Sequence, residues 1–243
     1  MILETVELTR TFGQVVAADG IDLRITAGER VGVVGPNGAG KTTLLNLITG
    51  YIRPQRGRIR YLGRDITGLP PRVITRLGIA RSFQIPQLYT GLSVVENVLI
   101  ALSAREERGL DPWRPLGQDA LISEALAILG QFGIRDYADQ PVVALPEGGR
   151  KLLDIALAFA LRPRLLLMDE PTSGVSMRDK FGVMDTLMGV LQSAGVTTLF
   201  VEHDMEVIRR YAGRVLVLRQ GRIIADGPPE AVLADVAMDR RVF

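Results

Sequence analysis

The sequence predicts an α/β fold on a largely parallel sheet, with an antiparallel β part near its start and a helical lobe inserted in its middle. Three observations carry this. Short apolar strands alternate with amphipathic helices in two blocks of the chain. A mostly helical stretch separates those blocks. A glycine-rich loop joins a strand that reads as buried to the helix after it. With 243 residues, the chain suits a single large domain, divided as 1–84 and 163–243 for the sheet-bearing parts and 85–162 for the lobe.

The elements follow in order. "ILETVEL" and "VVAADGIDLRI" nearly alternate, as half-buried antiparallel strands do. "RVGVV" (30–34) reads as a buried strand, and "TTLLNLI" as a short helix that Gly50 closes in the left-handed conformation. "GRIRYLGRDI" reads as a hairpin turning near Gly63. "LSVVENVLIALSA" opens on a capping box, Ser93 with Glu96. "REERGLDPWRPLGQ" is charged and rich in Pro and Gly, the mark of a surface loop. "DALISEALAILGQFG" is an amphipathic helix stopped by Gly133, and "RKLLDIALAFALR" a helix ended by Pro163. "LLLMD" and "VTTLFV" are strands around a helix over 178–194. "DMEVIRRYA" is a helix capped by Asp204, "RVLVLRQGRIIADG" a closing hairpin, and "PPEAVLAD" a last helix with Pro at its start.

Composition excludes several classes. The chain has no cysteine, which removes disulfide and thiolate–metal chemistry. Its net charge is +2, without the concentrated basic face of a duplex binder, so no nucleic-acid partner is expected. No signal-like start and no bilayer-length apolar run occur, so a cytoplasmic location is expected. Cations are lopsided, with 26 arginines and three lysines, Lys41, Lys151 and Lys180.

Two motifs carry chemistry. "GPNGAGKT" (Gly35, Pro36, Asn37, Gly38, Ala39, Gly40, Lys41, Thr42) fits the phosphate-loop pattern G-x-x-x-x-G-K-[ST], with Thr43 next in the helix. Its glycines let backbone N–H groups surround a phosphate, and the following helix adds its positive end. Lys41 supplies charge to the β- and γ-phosphates, and Thr42 a hydroxyl to Mg²⁺. "LLLMDE" supplies the acids at a strand's C-terminal end, where parallel sheets bind ligands. Asp169 suits Mg²⁺, directly or through water, and Glu170 suits orienting an attacking water.

With these motifs in order, the chain resembles an ATP-binding subunit of an ABC transporter over essentially its whole length. The resemblance implies a P-loop NTPase (RecA-like) core and ATP with Mg²⁺ as cofactors. Phe12, in "RTFG", matches the aromatic that stacks on adenine. Gln84, in "RSFQIPQL", matches the lobe-junction glutamine that senses Mg²⁺ and the membrane partner. His203, the only histidine, matches the switch residue at the γ-phosphate. "LPEGG" (Leu145, Pro146, Glu147, Gly148, Gly149) stands where the family places the Leu-Ser-Gly-Gly-Gln clamp for ATP held by a second subunit. Pro146 replaces the serine and Gly149 the glutamine, with the helix expected to start near Arg150. "SGVS" (173–176) lacks the acid commonly found at its end.

"GIARSFQIPQLYTGLSVVENVLIA" looks most like the ATPases of branched-chain (hydrophobic) amino acid importers and their urea-type relatives. The implied partners are transmembrane permease subunits and a second ATP-binding subunit, a heterodimer being favoured over a homodimer. The implied place is peripheral, on the inner face of the membrane. A soluble relative acting on nucleic acid or ribosomes is the alternative, but no long coiled coil or second ATPase unit is present. A GTPase reading lacks the guanine-reading Asn-Lys-x-Asp.

Overall fold

The computed structural model describes residues 1–106 and 119–238. The predicted loop over 105–118 therefore lies almost wholly outside the described residues.

Two sheets form. The smaller is antiparallel, in the order β2-β1-β4-β5, from β1 (Leu3–Phe12), β2 (Val15–Ile25), β4 (Arg56–Tyr61) and β5 (Arg64–Asp65). The larger has the order β10-β9-β3-β8-β7-β6. Its strands are β3 (Arg30–Val34), β6 (Ile79–Ser82), β7 (Leu165–Asp169), β8 (Thr197–Val201), β9 (Arg214–Arg219) and β10 (Arg222–Gly227). All neighbours in it are parallel except the β9–β10 hairpin.

The central strands β3, β7, β8 and β9 of the larger sheet are buried on both faces, as parallel strands must be when their residues are apolar on both sides, while the edge strand β10 alternates with solvent. Along β7, Leu165 and Leu167 join a core with α1 (Lys41–Ile48) and the antiparallel sheet. Leu166 and Met168 point the other way, into a core with α3 (Val94–Arg105), α4 (Asp119–Gln131), α5 (Glu147–Ala160) and α6 (Lys180–Ser193). Helices α3, α4 and α5 also pack against one another. The capping box on α3 forms, with Ser93 accepting from Glu96 N and Glu96 accepting from Ser93 N. Asp204 caps α7 (Met205–Tyr211), and α8 covers Pro229–Met238.

Among the described α-helices and strands, two escape the pattern reading. The first is α2 (Pro71–Leu77), which has Pro at its first position and Gly78 at φ +104° as its stop. The second is β6, a four-residue edge strand interrupted by Arg81, too short to show a period. A third difference concerns α5. It begins at Glu147, not near Arg150, because Pro146 is extended and Gly148 and Gly149 take ordinary helical angles.

Helix α5 is fastened to the segment after β6 by Asp154. Its carboxylate accepts from Phe83 N and Gln87 N, both at 3.1 Å. Burial pushes this carboxyl up from 3.8 to about 6, against the two N–H groups and Lys151. The folded value lies above the unfolded one, so the group's stabilisation is complete below about pH 4 and is lost as pH rises through about 6. We expect Asp154 to contribute a fall of roughly 3 kcal/mol in unfolding free energy across that window. Urea unfolding at each pH checks this. Asp154→Asn should remove that part of the slope, and an unchanged slope would contradict the assignment.

Candidate nucleotide site

The phosphate loop is shaped by what presses on it. A Cβ at Gly35 (φ +149°) would lie 2.1 Å from the Leu218 carbonyl oxygen, and one at Gly40 (φ +103°) 2.1 Å from that of Ala17. Strands β9 and β2 thus leave space for glycine only. Gly221 N–H ties the loop at Ala39 O (2.9 Å). Ala39 is buried, while Asn37 and Gly38 face outward and Pro36 lies between. The first-turn N–H groups of Lys41, Thr42 and Thr43 lack intrahelical acceptors and head α1 at the loop. The Lys41 ammonium crosses the loop to Gly35 O (2.6 Å) and Pro36 O (3.0 Å). Burial lowers its pKa, while the charges of Glu170 and Asp169 oppose that. Thr42 is exposed beside it.

The acids arrive at the end of β7. Asp169 is buried, and Glu170 follows at φ +50°, with its N–H on Val201 O (3.0 Å). Glu170 is held at both oxygens. Oε1 lies 2.5 Å from His203 Nε2, and Oε2 accepts from Gln84 Nε2 at 2.9 Å. Three residues predicted separately, Gln84, Glu170 and His203, therefore form one hydrogen-bonded group. Behind it Glu202 is buried and accepts from Thr172 N (2.9 Å) and Thr172 Oγ1 (2.7 Å). Burial raises the Glu202 carboxyl's pKa against those bonds. The His203 side chain, just beyond it, is 45% exposed.

Phe12 ends β1 on the hairpin whose second strand touches Gly40 through Ala17. Its ring is exposed, with the Arg10 guanidinium 4.8 Å from the centroid. The clamp residues stand apart from this group. Leu145 is buried, Pro146 is the exposed N-cap of α5, and Glu147, Gly148 and Gly149 form its first turn. They pack on residues 174–183: a Cβ at Gly148 would meet Val183 at 2.9 Å, and one at Gly174 would meet Glu147 at 3.4 Å. In the "SGVS" segment the Ser176 hydroxyl donates to Asp179 Oδ2 at 2.7 Å, so an acid lies three residues beyond the expected place.

All three lysines are buried. Lys41 lies on the loop and Lys180 pairs with Asp204. Lys151 donates to the carbonyls of Gln84 and Glu170. Sequence reading also missed Arg81. Its guanidinium donates to Asp169 Oδ2 (2.9 Å) and Asn46 Oδ1 (2.5 Å), with both partners of the ion pair almost fully buried. The rings of Phe83 and Tyr51 lie 5.1 and 6.0 Å from it. Removing one partner of a buried pair strands the other charge, at about 3–5 kcal/mol. Arg81→Met should show that loss in chemical denaturation, and adding Asp169→Asn should recover part of it. An Arg81→Met chain as stable as wild type would contradict this account of how Asp169 is held.

The known proteins most relevant to this geometry point one way. The ABC transporter family pattern matches residues 18–173. The high-affinity branched-chain amino acid transport ATP-binding protein BraF of Pseudomonas aeruginosa is 33% identical, over 95% of this chain and 93% of its own. The corresponding LivG protein of Escherichia coli is 30% identical, over 93% and 91%. Among solved structures, an ATP-binding cassette of an ABC transporter superposes with a TM-score of 0.87 at 31% identity, covering 99% of this chain and 96% of that one. A second structure of that same cassette, in its ADP conformation, gives 0.85 at 30% identity, with coverage of 99% and 96%. With a phosphate loop, paired acids and full-length relatives of this kind, the chain belongs to the ABC transporter family, as one of its ATP-binding, ATP-hydrolysing cassettes.

Proposed function

We propose that the chain is the motor subunit of an importer for branched-chain or similarly hydrophobic amino acids. The relatives' names support the substrate class. The observation that carries the hydrolytic reading is Glu170, held by Gln84 and His203 within electrostatic reach of Lys41. Loop N–H groups and Lys41 bind and orient the β- and γ-phosphates, and Phe12 stacks on the adenine. Glu170 orients the attacking water, and His203 faces the γ-phosphate. Oriented charges of this kind stabilise the transition state by a few kcal/mol each.

The donor set fits a magnesium ion carried in by the nucleotide. Thr42 offers a hydroxyl, Asp169 a carboxylate fixed at one oxygen by Arg81, and Gln84 an amide. Among the described residues, no group of three or more His, Cys, Asp or Glu side chains could hold a metal by itself. Mg²⁺ is commonly held this way, by one or two carboxylates plus substrate phosphates. When bound, it neutralises phosphate charge.

The second site component is the clamp, residues 145–149, which serves ATP on another ATP-binding subunit, in a heterodimer by preference. We divide the chain for this purpose into 1–84 with 163–243, and a lobe of 85–162. No helix among the described residues is long and apolar enough to cross a membrane. Permease subunits would hold the chain at the inner face. The reading as a nucleic-acid or ribosome ATPase finds no support among the transport proteins this chain resembles.

Two outcomes test the reading. In the assembled transporter, Lys41→Ala and Glu170→Gln should each lower ATP turnover at the site built on this chain's phosphate loop by roughly 10²–10³. Wild-type turnover in Glu170→Gln would remove Glu170 from the chemistry. The clamp lacks a hydroxyl at Pro146 but keeps the first-turn N–H groups of Glu147, Gly148 and Gly149. A hydrogen bond to a charged group is worth about 1.5–3 kcal/mol. Pro146→Ser should therefore speed turnover at the site this clamp completes, read with Glu170→Gln in place to silence the other site. No gain in rate would contradict the weakened-clamp reading.

A further inference from the structure

Helix α5 reaches the hydrolytic group from behind with two side chains on one face, Lys151 and Asp154, three residues apart. Both are buried, at 2% and 6% exposure. The hydrogen bonds given for both go to backbone groups. Asp154 accepts from Phe83 N with Oδ2 and from Gln87 N with Oδ1, so it grips the backbone on both sides of Gln84. Lys151 donates to the carbonyl of Gln84 itself, and at 3.4 Å to the carbonyl of Glu170. One helix turn thus fixes the main chain under both residues whose side chains meet at 2.9 Å.

This arrangement is expensive to keep. A buried ammonium carries a desolvation penalty that an apolar side chain would not, and here carbonyl hydrogen bonds and the nearby charges of Asp154 and Glu147 offset it. Lysine is also the scarcer cation here, three against 26 arginines. A thin stem ending in a point donor reaches between two carbonyls where a planar guanidinium matches carboxylates better. The same helix carries the clamp in its first turn, one turn before Lys151.

We propose that Lys151 and Asp154 are positioning residues for ATP hydrolysis: they tie the Gln84 loop and the Glu170 backbone to the clamp-bearing helix. Gln84 and Glu170 then reach hydrolytic geometry only with α5 seated, while binding of nucleotide to the phosphate loop does not depend on it. This rests on the hydrolytic reading given above.

The test compares binding with turnover. In the assembled transporter, Lys151→Met should lower kcat roughly ten- to hundred-fold, the scale of a small misplacement of reacting groups. KM for ATP, and the isolated chain's Kd for a fluorescent ATP analogue with Mg²⁺, should stay within about two-fold. Combined with Gln84→Ala, Lys151→Met should add little further loss, because it acts through that residue. Amide hydrogen exchange gives a second readout: Asp154→Ala should lose protection at Phe83 and Gln87 while β7 keeps its own. If Lys151→Met no longer melts cooperatively, that exchange result decides alone. Wild-type kcat in Lys151→Met, a matching loss of nucleotide affinity, or unchanged protection at Phe83 and Gln87 would overturn the proposal. A Lys41→Ala control separates the two readings. Retained turnover there sinks the hydrolytic reading, whereas loss there beside a wild-type Lys151→Met sinks only this one.

Discussion

The site depends on one constraint, the common direction and register of four neighbouring strands. β3, β8, β7 and β6 run parallel, with Val33 beside Val201, Asp169 beside Val201 and Ser82 beside Met168. Their C-terminal ends therefore reach one edge together. Beyond that edge come Gly35, then Glu202 and His203, then Glu170, then Gln84. Residues far apart in sequence meet because each follows its strand by one or two positions. A slip of one residue would turn a strand's side chains to the opposite face and bury the wrong set.

Burial then sets the chemistry. Asp169 and Arg81 neutralise each other beneath the site, and Glu202 is held against its desolvation by Thr172 and the His203 N–H. Glu170 and His203 lie further out, joined to each other at 2.5 Å. The inner carboxylates are held by Arg81 or by neutral donors, and Glu170 and His203 are the pair that lies nearer the surface. The left-handed backbone at Glu170 belongs to this scheme. It is an unfavourable angle for a residue with a side chain, and bonds from its N–H to Val201 and to its carbonyl from Lys151 hold it.

How much of this was legible depends on whether the signal was local. The phosphate loop, the acids, the capping box at Ser93 and the cap at Asp204 are short patterns with a mechanism, and each predicted element formed. Helix α2 carries Pro at its start and Gly78 at its stop, but its seven residues are too few to show a helical period. β6 could not be read, because four residues with an arginine among them show no period. Gly148 and Gly149 suggest a loop with α5 starting near Arg150, yet both are helical. Arg81 and Asp169 lie 88 positions apart, and Lys151 and Gln84 lie 67 apart. Such pairings are set by the fold and have no sequence spacing to announce them. The scarcity of lysine was a usable signal, since all three proved buried at or beside the site.

The central claim is that this chain holds half of each of two sites: a phosphate loop with its acids, and a clamp that serves a second subunit. The most direct measurement is specific ATPase activity of the purified chain across a wide concentration range, with sedimentation in ATP and Mg²⁺ alongside. The account predicts a poorly active monomer whose activity per chain rises only as a second ATP-binding chain associates with it. Full activity per chain, constant down to concentrations where only monomer sediments, would contradict it.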